Sequence, residues 1–483
     1  MCAAGLQIVS LVVLARVLGP SDLGLAMLAI AVIYTLSEFI QFFFVEAIVQ
    51  RESLDEAHVS TAFWVALSGA TGIIALCVVG ADRVALEFGE PDLGPLVRWM
   101  SPVLAFAAFN GTVVAVLRRT MEFKLVAVGA LAGRVLGSAL AIWMALSGFG
   151  VWSVVGQQLA LFGGSAAMFW LTAAWRPTLC LSLRHLRELT SFAGPKALGG
   201  ALTSVSGQIL SLLPGHLFGT IGLGYVALAR RVSGTLGSVI DGAARQVNMS
   251  VFSRQQNSRA MLLTSVYGST KVTCLLAFPV FTGLIVCAED VVALAFGSEW
   301  RAAVPLVQLF AVGCILRTTI GPVRTTVEAV GRPALHLWRG LVELVATVGG
   351  LLALSGMGPI ATGVVAVMVS ALTLPIDCAM SARFLRLRGR ALFLQVRWPL
   401  VASTLMAVLL MGPQLTLMPT WLPSARLVAL VPLGALLYVG TLWIVDRQVV
   451  VVTMEGLFAG LIRPRESGHP RGAGVVPAEA GAE

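Results

Sequence analysis

The chain has 483 residues, of which 57% are hydrophobic and only 12% charged, with a mean hydropathy of +0.89. Soluble domains carry about twice that share of charge, so a soluble enzyme or soluble binding module is excluded and an integral membrane protein is expected. The net charge of +9 would suggest nucleic acid in a soluble protein, but in a membrane protein basic residues report topology first, and no nucleic-acid partner is expected.

The N-terminus, MCAAGLQIVSLVVLARVLG, has no basic region before its apolar stretch and no small-residue cleavage site after it. It reads as a first span and not as a removable signal peptide. Crossing the ~30 Å hydrocarbon layer takes roughly 20 apolar residues in a helix. Windows of that length give fourteen spans, near 1–18, 23–45, 58–80, 96–117, 125–146, 150–171, 189–213, 221–245, 263–286, 303–327, 334–354, 359–381, 396–412 and 425–445. Each is expected to be a helix, because backbone polar groups find no water partner in lipid and no alternating barrel pattern is present.

Loop charge then sets the orientation. The even-numbered connections and the tail carry most of the arginines, among them Arg118, Arg119, Arg176, Arg184, Arg254, Arg259, Arg388 and Arg390. The odd-numbered connections carry Arg16, Arg83, Arg98, Arg301 and Arg426, several offset by Asp82, Glu87, Glu90, Asp92 and Glu299. The positive-inside rule therefore places both termini in the cytoplasm. Seven cysteines, Cys2, Cys77, Cys180, Cys274, Cys287, Cys314 and Cys378, have no CxxC spacing; they read as small packing residues, with no metal site.

An internal repeat organises these spans. LARVLGPSDLGLAMLA (14–29) returns as PGHLFGTIGLGYVALA (214–229), pairing Gly19 with Gly219, Leu23 with Leu223, Gly24 with Gly224, Leu28 with Leu228 and Ala29 with Ala229. LSGFG (146–150) returns as LSGMG (354–358). Two matched hairpins in one order predict two pseudo-symmetric six-helix lobes, 1–180 and 181–390, related by an axis along the membrane normal. Two further transmembrane helices (391–450) and a disordered cytoplasmic tail (451–483) complete the expected all-α architecture of about 14 transmembrane helices.

Several stretches together resemble one family. EAIVQRESLDEAHVSTAFW (46–64), LRRTMEFK (117–124), LSGFGVWSVVGQQL (146–159), LGYVALARRV (223–232) and SVFSR (250–254), with the first hairpin, look like the Wzx-type or O-antigen flippases. These form the polysaccharide-transport branch of the multidrug/oligosaccharidyl-lipid/polysaccharide flippase superfamily. The resemblance covers nearly the whole chain. It implies a transporter of the cell inner membrane that moves undecaprenyl-diphosphate-linked oligosaccharides between leaflets, with a polysaccharide polymerase and export machinery as partners. Two departures stand out: relatives often place an Asp near the end of span seven, where this chain has Leu210 and Ser211, and a Pro where it has Ser250.

Ionisable residues at membrane depth are costly and usually face a cavity or a partner. Arg134 in span five, Arg230 and Arg231 in span eight and Arg317 in span ten are deep; with Lys196 they are the candidates to attract a diphosphate, since guanidinium binds phosphate bidentately and stays charged. The competing reading is that some of them pair with acids and only hold the lobes together. Glu38 and Glu343, also deep, are the candidates for ion coupling or, equally, for a structural salt bridge. Lys196, Lys271, Arg339, Asp241 and Asp377 sit nearer the cytoplasmic ends, close enough to be able to snorkel. Gly129, Gly133 and Gly137, and Gly194, Gly199 and Gly200, have the spacing of close helix contacts. Trp64, Trp99, Trp143, Trp152 and Trp175 sit where interfacial belts form.

No GxxxxGK[ST] loop, HExxH motif or soluble catalytic constellation occurs, so neither an enzyme nor a cofactor is expected. The alternatives are a cation-coupled small-molecule exporter of the same superfamily, which needs deep acids, and a membrane polysaccharide polymerase, which places catalytic Arg and His in a large outward loop that this chain does not have.

Overall fold

The computed structural model describes residues 2–50, 55–255, 258–329, 335–385, 387–416, 418, 421–445 and 447. Within these, the side chains at 2–4, 38–47, 49–50, 183, 187–206, 328–329, 335–337, 382–385, 413 and 415–416 lie outside the description. The expected tail at 451–483 falls outside the described residues.

All regular structure among the described residues is helical. The helices are α1 (Cys2–Gln50), α2 (Glu56–Phe88), α3 (Leu93–Met100), α4 (Val103–Arg119), α5 (Phe123–Leu146), α6 (Trp152–Thr172) and α7 (Leu183–Gln255). They continue with α8 (Arg259–Val286), α9 (Ala288–Ala295), α10 (Val304–Ala329), α11 (Leu335–Ala353), α12 (Ile360–Leu385), α13 (Gly389–Thr416) and α14 (Pro423–Val445). Eleven segments of the described residues are long and apolar enough to cross a membrane, and every span expected from hydropathy overlaps a helix among the described residues. The short α9 has no counterpart in the hydropathy reading, which runs α3 and α4 together from 96. α3 and α4 are divided at Ser101-Pro102, where proline supplies no backbone donor.

The repeat is written into the backbone. α1 breaks at Gly19 with φ 72° and ψ 177°, and α7 breaks at Gly219 with φ 69° and ψ −177°. A positive φ with extended ψ is essentially a glycine conformation, so both copies need glycine where the chain turns from one leg to the next. Gly150 and Gly358, paired in the second repeat, also have positive φ, 54° and 67°. Leu23, Leu28 and Ala29 are buried, as are Leu223, Leu228 and Ala229. One further match had no weight in the sequence: Thr35 Oγ1 donates to Ala31 O at 2.7 Å, and Thr235 Oγ1 to Arg231 O at 2.7 Å.

The odd-numbered connections gather at one end. Thr220 Oγ1 donates to Glu90 Oε1 at 2.8 Å, Trp300 Nε1 to Ala15 O at 3.1 Å and Arg16 Nε to Ala295 O at 2.8 Å. At this end the two copies meet back to back. A β-carbon on Gly24 would stand 1.8 Å from Thr220 O, and one on Gly224 would stand 2.0 Å from Pro20 O. Pro20 and Thr220 are themselves a repeat pair, so the two contacts are exchanged by a pseudo-twofold axis running between α1 and α7. Leu11 and Ala15 of α1 join Val226, Phe278, Phe281 and Ala311 in one apolar cluster, so the two expected halves share a core here. The even-numbered connections meet at the other end, where Arg119 Nη1 donates to Ile48 O at 3.2 Å and Thr178 Oγ1 to Ser60 Oγ at 2.8 Å.

Of the other expectations, the six described cysteines are free, four of them buried. Gly129, Gly133 and Gly137 give close contact, with hypothetical β-carbons 2.1 Å from Phe169, 2.1 Å from Ser165 and 2.9 Å from Gln157 O; they pack α5 on α6 within one half. Trp99, Trp143 and Trp152 are exposed, as an interfacial belt requires, whereas Trp64 Nε1 is engaged by Thr178 O at 2.8 Å. Gly194, Gly199 and Gly200 fall outside the described side-chain positions.

Candidate functional site

Below the sealed end, the second leg of α7 carries a polar stripe. Arg230, Gly234, Gly237, Asp241, Arg245 and Asn248 recur at helical spacing, which keeps them on one face. α10 answers with Arg317, Gly321 and Arg324, where seven residues make about two turns and leave both arginines on one side. The glycines leave room: a β-carbon on Gly237 would lie 3.9 Å from Arg317 Nη2.

Arg230 Nη1 donates to Ser211 Oγ at 2.8 Å, and its Nη2 to Gly207 O at 3.4 Å, tying the two legs of α7 together. Ser211, with Leu210, is the stretch of span seven noted above as a departure from the resembling family. A neutral hydroxyl satisfies one donor without cancelling the charge. Arg317 is within electrostatic range of Arg230 and of Asp241. Arg231, about 100° further round the helix, lies within electrostatic range of Tyr34 of α1, whose hydroxyl donates to Gln158 Oε1 at 2.7 Å. Arg230, Arg231 and Arg317 make no ion pair among the described residues. The structure thus brings three of the expected cations into one region between α1, α7 and α10.

Arg134 does not join them. It is exposed on α5, without an ion-pair or hydrogen-bond partner among the described residues, beside the glycine face that packs on α6. The side chains of Lys196 and Glu38 lie outside the described residues.

Glu343 belongs to a buried ion cluster. Arg339 Nη2 lies 3.0 Å from Glu343 Oε2, and Arg339 Nε donates to Asp377 Oδ2 at 3.3 Å. Arg324 Nε stands 3.2 Å from the same oxygen. Asp377 and Arg339 are therefore held inside the fold and do not snorkel: with 4% and 8% of their surface exposed, each satisfies the other, which a lone charge at that depth could not do. Arg324 was not singled out in the sequence. Its seven-residue spacing from Arg317 was the signal that could have found it.

A cavity of about 150 Å³ opens beside the cluster, lined by Asp241, Arg245, Asn248, Arg317, Arg324 and Thr325 among others. Among the described residues there is no group of three or more His, Cys, Asp or Glu able to hold a metal.

The sequence profile described as "Polysaccharide biosynthesis protein" matches residues 13–305. The chain is similar to the succinoglycan biosynthesis transport protein ExoT of Rhizobium meliloti, 26% identical over 489 residues that cover 98% of this chain and 95% of that protein. It is also similar to the lipopolysaccharide biosynthesis protein WzxC of Escherichia coli, 23% identical over 339 residues that cover 68% of this chain and 67% of that protein. Among solved structures it resembles the lipid II flippase MurJ in an inward closed conformation, with a TM-score of 0.74 at 13% identity, covering 93% of this chain and 98% of that one. An inward-facing multidrug resistance MATE family transporter gives 0.63 at 19% identity over 80% of this chain and 95% of that one. These two likenesses show the fold.

Proposed function

The chain belongs to the polysaccharide biosynthesis protein family, and from that premise we propose that it is a flippase. It carries undecaprenyl-diphosphate-linked oligosaccharide units across the cell inner membrane, for O-antigen, capsule or exopolysaccharide assembly. The observation that carries this reading is the group Arg230, Arg231 and Arg317, three guanidinium groups with no paired acid among the described residues. Charges placed at membrane depth cost a few kcal/mol each or more, and an anionic cargo that must pass that depth compensates them. A diphosphate supplies acceptors for bidentate contacts, while the prenyl tail stays in lipid.

The end sealed at Gly24 and Gly224 faces outward in this reading, and the basic even-numbered end faces the cytoplasm with both termini. Parting the glycine contact while the even-numbered end closes gives alternating access, with the lobes at 1–180 and 181–390 as the moving parts. The work is transport and not catalysis, and the product passes to a polymerase and the export machinery.

The cation-coupled exporter reading would rest on Glu38 and Glu343, and a coupling role for Glu343 would have to break its pair with Arg339. Deletion of the gene followed by analysis of lipid-linked intermediates tests the flippase reading. Undecaprenyl-diphosphate oligosaccharide should accumulate on the cytoplasmic side; normal polymer and no intermediate would sink it.

A further inference from the structure

The segment that joins the two halves is fastened along α2. Between α6, which ends at Thr172, and α7, which begins at Leu183, the chain forms no helix, yet its backbone is bonded. Thr178 N–H and Oγ1 both donate to Ser60 Oγ, at 3.2 and 2.8 Å, and Thr178 O accepts from Trp64 Nε1 at 2.8 Å. Thr61 Oγ1 donates to Cys180 O and accepts from Ser182 N–H, both at 3.3 Å. Ser60, Thr61 and Trp64 stand on one face of α2, and the first two are fully buried. Just beyond the segment, the His185 ring lies 4.1 Å from that of His58.

These bonds fix the depth of the linker. Hydropathy starts a span at 58, so Ser60, Thr61 and Trp64 occupy its first two turns, the level of the membrane boundary. A run of rings marks the same level: Trp170 lies 5.9 Å from Phe109, Phe109 6.1 Å from Phe63 and Phe63 6.0 Å from Trp175, as an interfacial aromatic belt requires. Away from α2 the linker presents Leu179 and Leu181, 92% and 66% exposed, next to the exposed Trp170 and Leu171 at the end of α6. In water these leucines forgo the stabilisation that burial gives, and an apolar patch rimmed by polar groups marks an interaction surface. The rim here is cationic. Arg176 and Arg184 bracket the leucines and are exposed, and the Arg176 guanidinium lies 4.8 Å over the Trp170 ring.

We infer that the linker at 176–182 is a membrane-interface strap: Leu179 and Leu181 enter the leaflet at the even-numbered end, and Arg176 and Arg184 meet its anionic headgroups. Lipid is the occupant because the hydrogen bonds to α2 hold the leucines at the depth of the aromatic belt, and because the flanking cations complement the negative surface of such a leaflet. The strap is thus held on one side by α2 and on the other by the bilayer. This holds for any cargo and goes beyond the flippase reading.

The test uses the full chain in nanodiscs of phosphatidylethanolamine and phosphatidylglycerol. Cys2, Cys180 and Cys378 are replaced by serine, which leaves only buried cysteines, and a nitroxide is placed on Leu179→Cys, on Leu181→Cys or, as the aqueous reference, on Asp55→Cys just before α2. Leu179, Leu181 and Asp55 are exposed, so the labels leave the core intact. At 179 and 181, collisions with dissolved oxygen should exceed those with a water-soluble nickel chelate, and nickel access should be severalfold lower than at 55. Equal nickel access at all three positions overturns the strap and leaves this face to a soluble partner. In nanodiscs of neutral phosphatidylcholine, nickel access at 181 should rise severalfold; unchanged access removes the headgroup contacts of Arg176 and Arg184. Neither readout depends on cargo, so failure here leaves the gene-deletion result for the flippase reading standing.

Discussion

The second leg of α1, after Gly19, and the second leg of α7, after Gly219, are one scaffold carrying two chemistries. Both begin at a glycine with φ near 70°, both bury Leu, Leu and Ala at matched positions, and both bond a threonine back to the preceding turn. Yet Ile30 corresponds to Arg230, Ala31 to Arg231, Gln41 to Asp241 and Val45 to Arg245. What the two copies share is what closes the molecule; what they do not share is the charge. A duplicated unit keeps the positions that pack against its twin, because a change there disturbs both copies, and is free to diverge on its other face.

The charge difference gives the largest expected effect. Arg230→Gln combined with Arg317→Gln removes two charge-assisted contacts of about 1.5–3 kcal/mol each, so polymer export should fall roughly a hundredfold or more while protein in the membrane is retained. Moving the charge sharpens the point: Ile30→Arg in an Arg230→Ile background should not restore export, and restoration would show that the lobes are interchangeable.

The shared scaffold predicts the opposite pattern, equality. Gly24→Ala and Gly224→Ala each put a β-carbon into a facing carbonyl, an overpacking that costs about 1–3 kcal/mol and shifts the seal at this end towards open by about ten- to a hundredfold. Maleimide labelling of a cysteine at Ser21, from the outside, should rise alike in both variants. A rise in only one would break the pseudo-twofold account.

Ser211→Asp gives the charge of Arg230 a carboxylate partner. Affinity for the lipid-linked cargo, read as the concentration for half-maximal transport in proteoliposomes, should weaken about tenfold, with protein stability unchanged or improved. Unaltered affinity would remove Arg230 from the cargo site. The smallest expected effect is at Thr35→Val and Thr235→Val, where loss of a bond to the preceding turn should cost no more than about 0.5 kcal/mol at each position, equally in the two copies, by thermal unfolding in detergent.

Much of this was legible in the sequence because membrane folding is governed by few rules. Hydropathy placed the spans, since a helix is the only way for a lone segment to satisfy its backbone in lipid. The repeat at constant offset picked out Gly19 and Gly219 because glycine is the residue that tolerates the turn they make. Arg230, Arg231 and Arg317 stood out because a charge at that depth is rare. Arg324 escaped notice because it lies near a predicted helix end, where snorkelling is the usual outcome; so did the fate of Asp377 and Arg339, which depends on partners 38 positions apart. Arg134 looked equivalent to the other deep arginines, and depth along a helix cannot distinguish a face turned to α7 from one beside the α6 contact.

The sequence by itself determined the class of molecule, its helices, its charge asymmetry from end to end and the existence of two copies, because each follows from local composition or from a fixed offset. Only the tertiary structure decided which charges meet. The pairing of Ser211 with Arg230, the two arginines sharing Asp377 and the glycines pressed against opposite carbonyls all join residues distant in the chain. Their distances are set by how the helices pack, and no periodicity encodes that.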